Sequence, residues 1–352
     1  MFDAKKLEAL RAKYGNAGGE VMFSEESRRV AAVQFSAGGR RLMPFAGVST
    51  FLDAEYRPDA ADLADFGGID IALVGVPMDL GVTNRAGSRF GPRAVRTIER
   101  VGPYEHVLKV VPLAEAKVAD IGDVPFRSRF SLESCHQDIE AFFTKLYAAG
   151  IVPLAVGGDH SISQSILAGV AKTHGPVGLV HFDAHCDTSG PYEGSKFQHG
   201  GPFREAVLAG HLDPERTVQI GIRGAAEYLW DFSYDSGMTV IHAEEVSRIG
   251  TDAIIETVKK VTGGGPTYIS LDVDCLDPVF APGTGTPEIG GMTSREVMAI
   301  LRGIAGIDVI GGDVVEIAPQ YDATTNTAQL GAQIMFEILC LQVINLKRKQ
   351  QA

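Results

Sequence analysis

The chain has 352 residues, 45% of them hydrophobic and 22% charged, a composition that supplies a large core and excludes a disordered or fibrous protein. A net charge of −12, with no Lys/Arg run before Lys347-Arg348-Lys349, argues against a nucleic-acid partner, and that trio reads as a solvated tail. No segment approaches 18 apolar residues, the N-terminus lacks a signal-peptide core, and the four cysteines show no C-x-x-C spacing; no membrane partner and a reducing cytoplasm are expected.

In chain order, the N-terminal stretch opens on a short charged helix followed by Gly- and Pro-punctuated segments. Residues 1–44 read as an extension packing on the core or on a neighbouring subunit, and 45–352 as one domain. Eight apolar runs then predict strands: Ile71–Pro77, Lys117–Asp123, Val152–Gly158, Val177–Asp183, Thr217–Ile222, Met238–Glu244, Pro266–Asp274 and Val309–Ile317. Most are apolar throughout, as strands of a parallel sheet covered on both faces are. Amphipathic stretches at Leu132–Ala149, Ser161–Thr173, Ala225–Tyr234, Thr251–Val261 and Ser294–Ile304 predict helices between them. The alternation predicts an α/β fold of three layers, α/β/α, around an eight-stranded, mostly parallel sheet, with ligands gathering at the carboxyl ends of strands. The Gly-rich segment Thr83–Arg96 has neither P-loop nor dinucleotide spacing, so its arginines read as structural.

Three strand ends carry chemistry. Val152–Gly157 runs into Gly158-Asp159-His160. Val177–Val180 runs into His181-Phe-Asp183-Ala-His185-Cys-Asp187, where i, i+2, i+4 spacing projects Asp183, His185 and Asp187 to one face. Thr267–Leu271 runs into Asp272-Val-Asp274, again two carboxylates on one face. Two histidines and four aspartates exceed one tetrahedral site and suit two divalent first-row metals sharing carboxylates. His181 falls on the same side as Asp183 and reads as a packed supporting residue. Cys186 and Cys275 alternate with these groups and should face the packed side.

Gly157-Gly-Asp-His160-Ser, Asp183-Ala-His185-Cys-Asp187 and Ser270-Leu-Asp272-Val-Asp274-Cys-Leu-Asp277-Pro278 together resemble the three signatures of the ureohydrolase family: arginases, agmatinases, guanidinobutyrases and guanidinopropionases. Ala281–Gly291 resembles the agmatinase-side continuation of the third motif. The resemblance implies an arginase-like fold, two divalent metals per subunit (Mn2+ first, Ni2+ as the alternative), and a homotrimer or homohexamer. Carried over, His160 and Asp187 hold one metal, His185 and Asp274 the other, and Asp183 and Asp272 bridge. His199, in Gln198-His199-Gly-Gly-Pro, matches the family's proton-shuttling histidine, and Glu316, in Asp313-Val-Val-Glu316-Ile, the acid that grips the guanidinium; Asp187 counts with them as catalytic.

Chemistry asks for these groups independently. A guanidinium carbon is a poor electrophile, so hydrolysis needs water made strongly nucleophilic, a carboxylate that pairs with the planar cation, and a group that protonates the leaving amine. The loop between Asp187 and His199 should line the substrate tail. Ser189 and Gly190 stand where relatives acting on amino acids or agmatine carry Asn or Asp, while Tyr192 and Thr83-Asn84-Arg85 resemble guanidinopropionases. The expected activity is release of urea from a small guanidino compound, a short acid such as 3-guanidinopropionate or 4-guanidinobutyrate. Alternatives are free guanidine, a substituted guanidine or biguanide, agmatine, a partner-subunit role in a hetero-oligomer, and a single-metal amide hydrolase of the deacetylase type.

Overall fold

The computed structural model describes residues 3–15, 24–36, 38–40, 42–60, 65–99 and 101–351. It divides into two compact units, Met1–Leu42 and Met43–Ala352. The first holds helices α1 (Ala4–Tyr14) and α2 (Glu25–Gln34), started by Asp3 and Ser24, whose side chains accept from Lys5 N and Ser27 N. Neither helix buries a residue.

The second unit is built on a nine-stranded parallel sheet: β1 (Glu55–Tyr56), β2 (Ile71–Val76), β3 (Val118–Asp123), β4 (Val152–Gly157), β5 (Val177–Phe182), β6 (Leu212–Ile222), β7 (Thr239–His242), β8 (Thr267–Asp272) and β9 (Val309–Val315). The order is β1-β3-β2-β4-β9-β8-β5-β6-β7. The eight expected strands are present. The ninth, β1, is a two-residue edge strand with both residues exposed, too short to leave a hydrophobic pattern in the sequence.

Helices α3 (Gly91–Arg96), α4 (Pro112–Glu115), α5 (Leu132–Ala148), α6 (Ile162–His174), α7 (Pro202–Leu208), α8 (Asp231–Ser236), α9 (Ala243–Thr262), α10 (Ser294–Gly303) and α11 (Asn326–Gln351) complete the chain. Successive residues of β2 belong to different cores: Ile71 and Leu73 pack with residues of α9, α10 and α11, Ala72, Val74 and Val76 with residues of α5 and α6. Both faces are covered, which is why the strands read as unbroken apolar runs. The helix expected over 225–234 is instead a 3-10 turn, Glu227–Leu229, followed by the short α8.

α11 corrects two expectations. It contains an 18-residue window of mean hydropathy 1.4, so one segment does reach membrane-spanning hydropathy, but 78% of that window is buried in the protein. The basic trio is no loose tail either: it lies on α11, where Lys347 Nζ reaches Glu115 Oε2 and Lys349 Nζ reaches Asp308 Oδ1, both at 2.7 Å.

Arg96 shows what the Gly-rich segment does. It grips Asp120, which has no exposed surface, through Nε to Oδ2 at 2.8 Å and Nη2 to Oδ1 at 3.0 Å. Asp120 Oδ2 also accepts from Phe51 N, and the guanidinium lies 4.0 Å from the centre of the Phe51 ring. Arg96→Ala strands a buried carboxylate, so its denaturation midpoint should fall by the equivalent of about 3–5 kcal/mol. A surface-sized loss, under about 1 kcal/mol, would contradict this account.

Candidate metal centre

β4, β9, β8 and β5 are neighbours in the sheet, and each delivers side chains at its carboxyl end. His160 follows β4, Glu316 follows β9, Asp272 ends β8, and Asp183, His185 and Asp187 follow β5. The turn after β4 needs glycine: a Cβ on Gly158 would lie 2.2 Å from Met78 O and 2.6 Å from Val76 O. Asp187 (φ 50) and Glu316 (φ 63) hold the left-handed backbone region that non-glycine residues avoid. Such strain persists only where surrounding structure over-determines it.

The six side chains expected to hold metal come together. His160 Nδ1 lies 2.8 Å from Asp187 Oδ2, 3.0 Å from Asp183 Oδ2 and 3.5 Å from Asp272 Oδ2. His185 Nδ1 lies 3.2 Å from Asp274 Oδ2 and 3.4 Å from Asp183 Oδ1. Asp183 therefore faces both histidines, one with each oxygen. Asp272 Oδ1 accepts from Asp274 N at 2.8 Å and Asp274 Oδ1 from Ala184 N at 3.0 Å, so backbone amides hold both carboxylates in place.

Hydrogen bonding decides which nitrogen of His160 is free. Ser270 Oγ donates to Asp313 Oδ1 at 2.6 Å, so it accepts from His160 Nε2 at 2.8 Å. In the neutral ring the proton is on Nε2 and the lone pair of Nδ1 points into the carboxylates. That nitrogen is buried without a hydrogen-bond partner. Carboxylates cannot donate to it, and a divalent cation satisfies both sides at once. Burial works against a charged His160, yet Asp183, Asp187 and Asp272 hold its pKa well above the usual value. Burial, with Asp274 and Asp183 beside it, drives Asp272 well above the carboxylate range. A cluster with this surplus of negative charge fits cations, and its nitrogen–oxygen donors suit divalent first-row metals.

His181 also lies within reach of this group. Gln219 Nε2 donates to Cys186 O at 2.6 Å and lies 3.1 Å from His181 Nδ1, which therefore accepts. His181 Nε2 then carries the proton and donates to Asp183 Oδ2 at 2.8 Å. It orients a carboxylate and offers no lone pair to a metal, as donors behind metal sites commonly do.

Beside the cluster, His199 Nδ1 lies 2.9 Å from Glu316 Oε1, which also accepts from His160 N at 2.9 Å. Glu316 is buried, and its Oε2 has no hydrogen-bond partner. Burial would lower the pKa of His199, but the bond to Glu316 and its charge raise it to about 9. Tyr192 is placed differently. It is 56% exposed at a small hairpin, pairing backbone to backbone with Ser195, and no hydrogen bond joins its side chain to His199 or Glu316. The sequence motifs did not reveal Gln219, Ser270 as the support of His160, or the contact of Thr83, whose Oγ1 lies 2.7 Å from His199 Nε2. For Ser270 a signal existed: two residues before Asp272, it shares that residue's side of β8.

Residues 69–341 match the arginase family. Guanidinopropionase of Pseudomonas aeruginosa is 46% identical over 301 residues, 84% of this chain and 92% of that enzyme. Mitochondrial agmatinase of Gallus gallus is 47% identical over 277 residues, 78% of this chain and 81% of that one. Among solved structures, proclavaminate amidino hydrolase of Streptomyces clavuligerus superposes with a TM-score of 0.80 at 34% identity, over 86% of this chain and all of that one. With the fold, the paired histidine–aspartate clusters and these matches in agreement, the chain belongs to the arginase family, the binuclear-metal hydrolases of guanidino carbon–nitrogen bonds.

Proposed function

We propose that this enzyme hydrolyses a short guanidino acid, 3-guanidinopropionate or 4-guanidinobutyrate, to urea and an amino acid. The observation that carries the reading is Glu316: a buried carboxylate oxygen without a donor, beside a metal-type cluster, suits a planar guanidinium cation. His160 and Asp187 would hold one cation, His185 and Asp274 the other, and Asp183 and Asp272 both. Bound there, two divalent cations lower the pKa of water from ~15.7 towards neutrality and so supply the nucleophile. Mn2+ is the proposed metal, with Ni2+ compatible with the same donors.

The chain's own groups do the rest. Glu316 Oε2 orients the guanidinium, and its Oε1 keeps His199 in place. His199 delivers a proton to the leaving nitrogen. Tyr192 would close over the substrate tail from its exposed hairpin. The Arg204 guanidinium packs against Gly190, 3.2 Å from where a Cβ would stand, and supplies a cation beside the loop that should line the substrate tail. That cation favours an acid. The 47% identity to an agmatinase keeps agmatine as the second reading. The catalytic domain is placed at residues 45–352, with 1–44 as an extension, in a cytoplasmic homotrimer or homohexamer.

Urea release from the Mn2+- and Ni2+-loaded enzyme should be compared across guanidine, guanidinoacetate, 3-guanidinopropionate, 4-guanidinobutyrate, agmatine, arginine and biguanides. The highest kcat/KM should fall on one of the two named acids, with two metals per chain by elemental analysis. Absence of urea from every compound would refute the reading, and one metal per chain would point to the deacetylase type.

A further inference from the structure

The ring of His199 is held at both nitrogens. Nδ1 lies 2.9 Å from Glu316 Oε1; Nε2 lies 3.1 Å from Thr83 N and 2.7 Å from Thr83 Oγ1. A backbone N–H can only donate, so Nε2 accepts, and the neutral ring carries its proton on Nδ1, aimed at Glu316. The same segment also holds the histidine's backbone: His199 N donates to Gly81 O at 2.9 Å, and Gly81 N donates to buried Asp159 Oδ2 at 2.8 Å. His199 is buried whereas Thr83 is exposed. A proton leaving Nε2 therefore meets the Thr83 hydroxyl, which both accepts and donates.

We propose that Thr83 fixes the tautomer of His199 through its backbone N–H and carries the proton from His199 Nε2 to the departing amine through its hydroxyl. The inference rests on the guanidino-hydrolase reading. Two cations beside the ring would oppose its charge and favour the neutral form; that form takes one proton from the attacking water at Nε2, and the ring becomes an imidazolium whose Nε2–H now opposes the Thr83 N–H. That conflict favours release. As the bond between the guanidino carbon and the substrate nitrogen breaks, the electron pair stays on nitrogen and takes the Thr83 hydroxyl proton. Thr83 Oγ takes the Nε2 proton in the same step. Ring and hydroxyl are restored, and water has been added across the C–N bond; the guanidinium's charge leaves as the O–H proton that protonated urea passes to the amine, giving urea and an ammonium. Thr83 is a positioning and relay residue for His199.

The test uses the full-length, metal-loaded enzyme with 3-guanidinopropionate. Thr83→Val keeps shape and backbone N–H but removes the hydroxyl; kcat should fall about 10- to 100-fold with KM within about threefold. Thr83→Ser should recover to within about threefold of wild type. In a His199→Asn background, Thr83→Val should cost nothing further, because the two act as one unit. Histidine 15N NMR of the zinc-loaded protein, a diamagnetic stand-in, should find Nε2 unprotonated in the neutral ring. Wild-type kcat in Thr83→Val, an additive loss in the double variant, or a protonated Nε2 in the neutral ring would each overturn the proposal. If the wild-type enzyme releases urea from no guanidino compound, the functional reading fails and the relay with it, while the NMR result still decides the tautomer.

Discussion

Asp272→Asn should make the metal-free protein more stable and the metal-loaded enzyme almost inactive. Both effects follow from one carboxylate. Without cations, Asp272 is fully buried between Asp274 and Asp183, and its pKa lies well above the usual range. An acid raised in this way binds its proton more readily when folded than when unfolded. Its contribution to stability is therefore present at low pH and lost as the pH rises through the folded-state value. At neutral pH the charged form is a liability that asparagine lacks. Asparagine also keeps the bond from Asp274 N to Oδ1.

Cations reverse the balance. A metal bound by the wild type at about a thousand times its Kd adds about 4 kcal/mol of stability, and the variant should forfeit much of this. The cations contribute several kcal/mol of transition-state stabilisation, and ~1.4 kcal/mol is one decade of rate; urea release should fall by about 10³-fold. Thermal melts with and without chelator check the sign. A chelated Asp272→Asn protein melting below chelated wild type would mean that the carboxylate is not strained by its neighbours.

The sequence made the floor of this site legible because a strand has a rigid period of two. Asp272 had to stand at the end of β8, whereas β5 ends at Phe182 and Asp187 has a left-handed backbone, so the turn after the strand, rather than a period of two, gathers Asp183, His185 and Asp187. Apolar runs located the sheet for the same reason, since parallel strands covered on both faces have no polar side to interrupt them. What escaped depends on contacts between distant segments. Thr83 and His199 are 116 positions apart and meet only because the loop after β2 folds over the loop after β5. Gln219 on β6 sets the tautomer of His181 on β5 through strand pairing, which spacing within one segment cannot disclose. Tyr192 stands 56% exposed on a hairpin whose conformation the flanking motifs do not determine, so spacing alone does not say how far its ring reaches over the substrate tail. In α11 an 18-residue window of high hydropathy reads the same in a core as in a membrane until the covering layer is known.

Glu316→Gln should lower kcat/KM by about 10³-fold while the protein stays folded and binds both metals. Oε1 accepts from His160 N and His199 Nδ1, and a glutamine oxygen can keep both bonds. The loss falls on the other atom. Oε2 is buried without a donor, and Gly285 leaves the space above it open: a Cβ there would stand 3.7 Å from Oε2 and 2.9 Å from Arg85 O. An amide at that place presents N–H groups to the N–H groups of a guanidinium, so attraction becomes donor-against-donor repulsion. Each hydrogen bond to a charged group contributes about 1.5–3 kcal/mol, and a paired guanidinium–carboxylate contact has two. Two such bonds, at ~1.4 kcal/mol per decade, account for the 10³-fold estimate. Gly285→Ala should reproduce part of the loss, mainly as a raised KM, by crowding the same space without changing any charge. Steady-state kinetics beside elemental analysis separates the cases. A Glu316→Gln enzyme within about tenfold of wild type would place the guanidinium elsewhere. Loss of metal along with activity would instead make Glu316 a support of the cluster through His160.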